Sequence, residues 1–222
     1  PECSTMTEWY WYFQSFEDCV FYCHHRETYG EDFNYDDFAP FWKAENYDPA
    51  EWMRLMHGAG ARYFVFTSKH HDGVALWPTA TTGRNTMEMG PGRDLVGELM
   101  DAARQFNQGV PADEQVRPGL YYSIPEWFSP APRPWDAYSG EMFGSILTQS
   151  IFTLASQGPV NPYTGQPVPY TGYRPIADYA AGQVRPQMRE LIDIYHPDIL
   201  WCDIGGRESY FRSNEVIAHY YN

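Results

Sequence analysis

The sequence predicts an α/β protein built on a parallel sheet, and three observations lead there. Amphipathic helical segments alternate with short apolar β-type runs, as they do where each strand is joined to the next by a helical crossover. Polar, titratable residues cluster just after those runs: Ser68-Lys69-His70-His71-Asp72-Gly73 follows Tyr63 to Thr67, and Cys202-Asp203-Ile204-Gly205-Gly206 follows Ile199 to Trp201. The long connections leave the C-terminal strand ends, which favours a barrel of strand–helix units, the edge where the chemistry of such barrels sits. No glycine-rich phosphate loop opens any of the helices, so a nucleotide-binding sheet loses ground. Three strands cannot close a barrel. The 222 residues, opening at Pro1 and stopping in a helical pattern, therefore read as an internal piece of a longer protein.

The first clear element is a helix over 48–60. Asp48 is placed to cap it, Pro49 suits the first helical position, and Glu51 stands three residues after the cap, as in a capping box. Met53, Leu55 and Met56 supply an apolar stripe, and Gly58 and Gly60 end it. Residues 61–67 then form a strand whose nearly continuous apolar character predicts burial. Asp94 caps a second helix through Leu95, Val96, Leu99, Met100 and Ala103, ending near Gln105. The second strand is Arg117 to Ser123, with Pro118 weakening its first half because proline has no N–H for the ladder. A connection rich in Pro, Gly, Tyr and Ser covers 124–175. A third helix runs from about Ile176 to Tyr195, where Pro186 should kink or start it and His196-Pro197 stops it. Residues 198–201 are the third strand, and 208–222 form a further helix.

A formal charge of −14 argues against an electrostatic grip on nucleic acid or anionic lipid. No signal-like start and no apolar run of membrane-spanning length is present in the sequence. Aromatic residues make up 18% of the chain, with 8 Trp and 18 Tyr, and most of these serve packing. Such a density also suits sugar binding, because rings stack on the apolar faces of pyranoses while carboxylates and amides take the hydroxyls. The cysteines Cys3, Cys19, Cys23 and Cys202 are too few and too irregular for a disulfide framework, and their pairing and the redox compartment stay open. Cys19 and Cys23, beside His24 and His25, raise a zinc site, but no second cysteine pair at matching spacing supports it.

His70 and His71 would point to opposite faces if strand geometry continued, whereas a turning backbone lets both reach one cavity. The plainer role for them is structural, bonding backbone carbonyls. A metal role needs a third ligand such as Asp72 or Asp203, and no HExxH-type spacing backs it. Asp203, a carboxylate at a strand end beside Trp201, suits the nucleophile of a retaining glycosidase. On pattern alone, a capping or loop aspartate is the commoner role.

Several stretches together carry a family resemblance. They include Glu8-Trp9-Tyr10, Tyr47-Asp48-Pro49-Ala50-Glu51-Trp52, Thr67-Ser68-Lys69-His70-His71-Asp72-Gly73, Arg93-Asp94-Leu95-Val96-Gly97-Glu98-Leu99, Gly119-Leu120-Tyr121-Tyr122-Ser123, Pro125-Glu126-Trp127-Phe128 and Tyr195-His196-Pro197-Asp198-Ile199-Leu200-Trp201-Cys202-Asp203. In order and content the chain resembles the α-L-fucosidases of glycoside hydrolase family 29 over most of its length. The stretch Ala131 to Thr171 and the loop Asn107 to Gln115 match nothing in that pattern.

The resemblance implies a (β/α)8 TIM-like barrel, of which residues 1–222 hold about strands 2–4 with their helices, as part of one catalytic domain. It implies a retaining hydrolase that releases terminal α-L-fucose from fucosylated glycans through a glycosyl-aspartate. Asp203 is then the nucleophile, and Glu8, Trp9, His70, His71, Tyr121 and Trp201 line the sugar pocket, with Lys69 and Asp72 in support. It implies no cofactor and no metal, a secreted or lysosome-like compartment, and an acid/base glutamate from a strand beyond Asn222. Oligomeric state, linkage and aglycone preference stay open. The rival expectations are a non-catalytic fucose-binding barrel and, less well supported, a zinc-dependent hydrolase using His70, His71 and a carboxylate.

Overall fold

Asp48 opens the first long helix as its side chain accepts the Glu51 N–H at 2.9 Å, and Pro49 takes the first turn, where its missing N–H costs nothing. These interactions belong to a computed structural model, which describes residues 6–134, 137 and 158–222. Among the described residues, β1 (Tyr63–Lys69), β2 (Arg117–Ser123) and β3 (Ile199–Asp203) form a parallel sheet in the order β1-β2-β3. The helices are α1 (Tyr10–Phe13), α2 (Val20–Tyr29), α3 (Pro49–Gly58), α4 (Leu95–Gln108), α5 (Arg185–Tyr195), α6 (Glu208–Phe211) and α7 (Ser213–Tyr221). Short 3₁₀ segments lie at Thr7–Trp9 and Tyr35–Phe41.

Helices α3, α4 and α5 are neighbours in space. Met53 of α3, Val96, Leu99 and Met100 of α4, and Met188 and Leu191 of α5 share one core with Phe64, Leu120 and Tyr122 of the strands. The alternate strand residues point to the other face. There Tyr63 and Trp201 are 61% and 59% exposed, and Thr67 is exposed beside half-buried Tyr121. Gly119 holds the centre of that sheet, where an added Cβ would lie 2.7 Å from the Phe64 carbonyl and 2.9 Å from the Ile199 Cβ.

The structure departs from the sequence expectations in several places. Leu55 is 61% exposed and not part of the buried stripe, because two residues along a helix from Met53 turn it about 200° away. Strand β1 runs on to Lys69 and is less buried than its apolar run suggests, since among the described residues β2 is the one strand beside it in the sheet. Helix α4 continues to Gln108. Pro118 does not weaken β2: it pairs opposite Phe64, and its carbonyl accepts the Asp198 N–H at 2.8 Å. Its missing donor faces the position just before β3 begins, so no ladder bond is lost. The third helix starts as a π-helical turn, Ala180–Val184, and Pro186 sits in the first turn of α5. Ile176 lies before it. The single helix expected over 208–222 is two, broken at Arg212, whose φ is +52°. Cys3 and residues 138–157 of the long connection lie outside the described residues.

Asp94 caps α4 through the Gly97 N–H at 2.8 Å, and its second oxygen accepts the buried Tyr195 hydroxyl at 2.8 Å, tying α4 to α5. Asp94→Ala removes a cap and strands that hydroxyl, so the protein should lose about 2–3 kcal/mol, read from its urea midpoint. Asp94→Asn, which keeps the capping oxygen, should lose less than half of that. Equal losses in the two variants would overturn the capping account.

Candidate active site

The C-terminal strand ends bring the candidate residues together. Asp203 closes β3 with its side chain 38% exposed. Its Oδ2 accepts the Tyr121 hydroxyl at 2.6 Å, and its Oδ1 accepts the Ile204 N–H at 2.9 Å. Ile204 has φ +48°, a left-handed conformation that a β-branched residue rarely adopts. That turn folds the N–H back onto the carboxylate, a local strain of the kind found where the surroundings fix a functional group. Tyr121 also bonds the buried Ser123 hydroxyl at 2.7 Å. Burial and then the Asp203 carboxylate push the Tyr121 phenol up, so it stays protonated and donates.

His71 is fully buried, with Nε2 3.8 Å from Asp203 Oδ2 and Nδ1 2.9 Å from the Pro125 carbonyl. A carbonyl only accepts, so Nδ1 carries the proton and Nε2 holds the lone pair. Burial pushes this imidazole down to about 4, against the opposing pull of the Pro125 bond. His70 is also lowered by burial, countered by the carboxylates of Asp72, Asp203 and Glu8. Both rings are therefore neutral near pH 7.

The two imidazoles do reach one place. Their centroids are 4.5 Å apart, and the His70 ring lies near-parallel to Tyr121 at 6.0 Å. Trp9 approaches both, at 6.5 Å from His70 and 5.5 Å from His71. Trp201 meets the Tyr121 ring edge-on at 6.4 Å. Glu8 is exposed on the 3₁₀ turn that carries Trp9, and it meets the cluster through its electrostatic effect on His70.

The sequence reading gave no role to Trp127, whose ring lies 5.6 Å from His70, 5.5 Å from His71 and 5.2 Å from Trp9. It also gave none to Ser123, or to the ion pair between Lys69 and Glu126, which buries both side chains completely. The available signal was position, since Ser123 ends β2 and Glu126 and Trp127 follow it within four residues. A cavity of about 480 Å³ beside β1 includes Thr67, His70 and Asp72 with Tyr29, Phe38 and Trp42, but not Asp203. The carboxylate and its partners, not that cavity, mark the candidate site, because a carboxylate, two imidazoles and a phenol converge there.

Cys19 is disulfide-bonded while Cys23 and Cys202 are free thiols, so Cys19 and Cys23 do not form a metal-binding pair. Among the described residues, no group of three His, Cys, Asp or Glu side chains stands where it could hold an ion. Nor is any described helix long and apolar enough to cross a membrane.

A parallel sheet with helices on one face, and a held carboxylate, neutral imidazoles and rings at its C-terminal strand ends, defines a β/α protein with a strand-end site. A sequence model of the alpha-L-fucosidase family matches residues 1–222, and the chain belongs to that family. Tissue alpha-L-fucosidase of Rattus norvegicus is 31% identical over 220 residues, covering 97% of this chain and 38% of the rat protein. The Branchiostoma floridae alpha-L-fucosidase is 32% identical over 201 residues, covering 89% and 35%. The solved structure of Thermotoga maritima alpha-fucosidase in complex with fucose aligns with a TM-score of 0.65 at 32% identity, covering 96% of this chain and 42% of that one. The chain thus spans well under half the length of these relatives.

Proposed function

We propose that residues 1–222 are part of the catalytic (β/α)8 barrel of a retaining glycoside hydrolase that releases terminal α-L-fucose from fucosylated glycans. The observation that carries this is the Asp203 carboxylate, held by Tyr121 and Ile204 at a strand end beside a neutral, buried His71. Barrel closure is supported by the helices α3, α4 and α5 packing as neighbours behind one sheet face while Tyr63, Thr67 and Trp201 stay exposed on the other. A doubly wound sheet would put helices on both faces.

In this reading Asp203 attacks the anomeric carbon and forms a glycosyl ester as the bond to the aglycone oxygen breaks and that oxygen takes a proton from the acid/base carboxyl. Water then gives a proton back to the same group, attacks the anomeric carbon and displaces the Asp203 carboxylate with a second inversion. Tyr121 and the Ile204 N–H fix the direction of the carboxylate, so little reorientation precedes attack. The lone pair on His71 Nε2 accepts a sugar hydroxyl, while His70 and Glu8 take others. Trp9 and Trp201 pack on the apolar sugar face that a 6-deoxy sugar extends with its methyl group. The acid/base glutamate comes from a strand beyond Asn222, with Glu8 as the substitute carboxylate within the chain. The Thermotoga relative binds fucose, which supports the sugar assigned here. The disulfide at Cys19 supports a secreted or lysosome-like compartment.

Proton NMR of an aryl α-L-fucoside treated with the full-length protein tests the reading. α-L-Fucose should appear first and mutarotate afterwards. β-L-Fucose as first product would overturn double displacement, and tight fucose binding without turnover would favour a non-catalytic fucose-binding barrel. Expressed alone, residues 1–222 should aggregate and give no turnover, because among the described residues β1 and β3 each leave an edge open and Tyr63 and Trp201 are exposed. A soluble, active 222-residue product would overturn the partial-barrel assignment.

A further inference from the structure

Lys69 and Glu126 are fully buried, and residues of these types are seldom buried unless paired. Lys69, the last residue of β1, donates from Nζ to Glu126 Oε1 at 2.8 Å and to the Tyr122 hydroxyl at 3.0 Å, and lies 4.3 Å from the Tyr122 ring centre. Glu126, three residues past β2, also accepts from Gln183 Nε2 at 2.5 Å and from the Tyr170 hydroxyl at 2.9 Å. The carboxylate thus has three donors, and the ammonium faces a carboxylate, a hydroxyl and an aromatic ring. Removing two charges from water costs several kcal/mol each, so a pair like this is a poor choice for stability alone.

What the pair holds is the turn that carries the two histidines. Lys69 precedes His70 directly. On the other side of the contact, Glu126 lies between two groups that grip His71: the Pro125 carbonyl accepts from Nδ1 at 2.9 Å, and the Trp127 N–H donates to the His71 carbonyl at 2.8 Å. Beyond the turn, Gly73 packs so closely on this knot that an added Cβ would lie 2.0 Å from the Tyr170 hydroxyl and 2.9 Å from Glu126 Cδ. The β1 and β2 loops are therefore clamped before, at and after the histidines.

Building on the fucosidase reading, we infer that Lys69 and Glu126 are positioning residues whose buried pair commits His71 Nδ1 to the Pro125 carbonyl and turns Nε2 toward Asp203. They touch no substrate and act through His71. Without the pair, the Pro125-Glu126-Trp127 segment loses its side-chain tie to Lys69 at the end of β1 and keeps the backbone bond from Trp127 to the His71 carbonyl, so that the His71 ring can exchange tautomers or rotate. Its hydroxyl-accepting nitrogen then no longer keeps one position relative to the attacking carboxylate. A displacement of about 1 Å at such a site lowers turnover by about 10²-fold.

The test uses full-length protein labelled with ¹⁵N-histidine. In the parent at pH 7, two-bond ¹H–¹⁵N spectra should show His71 as a neutral ring protonated at Nδ1. An Nε2-protonated or averaged pattern would overturn the inference, and because this measurement needs no turnover it stands apart from any failure of the fucosidase reading. Lys69→Met leaves Glu126 charged and buried, so the decisive variant is Lys69→Met with Glu126→Gln, which removes both charges and keeps groups that can bond Tyr170 and Gln183. That protein should show kcat on an aryl fucoside lowered by about 10²-fold with KM changed less than about threefold, together with an averaged His71 pattern. A double variant that keeps the parent's His71 pattern, or the parent's kcat, would overturn the assignment and leave the pair a packing feature only.

Discussion

Asp203→Gly in the full-length protein should lower turnover of an aryl α-L-fucoside by roughly 10⁴-fold, because it removes the only attacking oxygen this reading provides. The fold should survive. Asp203 ends β3 with a partly exposed side chain, Tyr121 keeps its bond to Ser123, and the Ile204 N–H loses one acceptor, a cost of about 1 kcal/mol. The vacated space lies between the Tyr121 hydroxyl and the Ile204 N–H, two donors that suit a small anion. Azide should therefore restore part of the rate, and the product should be the β-azide, since attack comes from the face opposite the α-linked leaving group. Asp203→Asn keeps the shape and loses the charge, so it should be nearly as inactive. Parent-like activity in either variant would reassign the nucleophile.

Where one residue decides a local structure, the sequence was enough to see it. Asp48 and Asp94 act as the caps their positions predict, each accepting an N–H three residues on, and β2 has the predicted bounds. His196 ends α5 in a left-handed conformation, just before the proline that was expected to stop the helix. Features that depend on neighbours in space were not visible. Pro118 is tolerated because of where β3 starts, which only the sheet order reveals. Helices α1 and α2 pass unnoticed because aromatic residues on several sides hide the helical period: Trp11 and Phe13 pack inward while Tyr10 and Phe21 meet each other.

The same limit applies to the site. Asp203, His70, His71, Tyr121, Trp9 and Trp201 were found by their place at strand ends and by family pattern, and the structure gathers them around one carboxylate. Lys69 and Glu126 were not paired in advance, because general preference sends both types to the surface and 57 residues separate them in sequence. Their contact follows from the β1–β2 pairing. The state of His71 was equally hidden, since complete burial keeps the ring neutral and a carbonyl 54 residues away decides which nitrogen carries the proton.

Replacing His70 or His71 by Ala in the full-length protein should lower kcat/KM by ~10²-fold or more, about 2.7 kcal/mol, because a buried sugar hydroxyl is left without its partner. For His71 the loss should come with a distinct pH signature. The groups facing it are the Pro125 carbonyl, His70, Asp203 and Lys69; burial, aided by His70 and Lys69, outweighs the Pro125 bond and Asp203 and holds its pKa near 4. In the unfolded chain the same ring titrates near 6.5, so below that pH the unfolded state binds more protons than the folded one. His71's contribution to stability is therefore complete above pH 6.5 and is lost as pH falls toward 4. Between pH 7 and 4.5 the parent should lose about 2 kcal/mol from this source, and His71→Ala, though less stable at pH 7, should lack that part of the decline. Urea midpoints of both proteins at the two pH values measure the difference. Parallel declines would mean that His71 is protonated in the folded protein, which would leave Nε2 a donor toward Asp203 and remove it as the acceptor of a sugar hydroxyl.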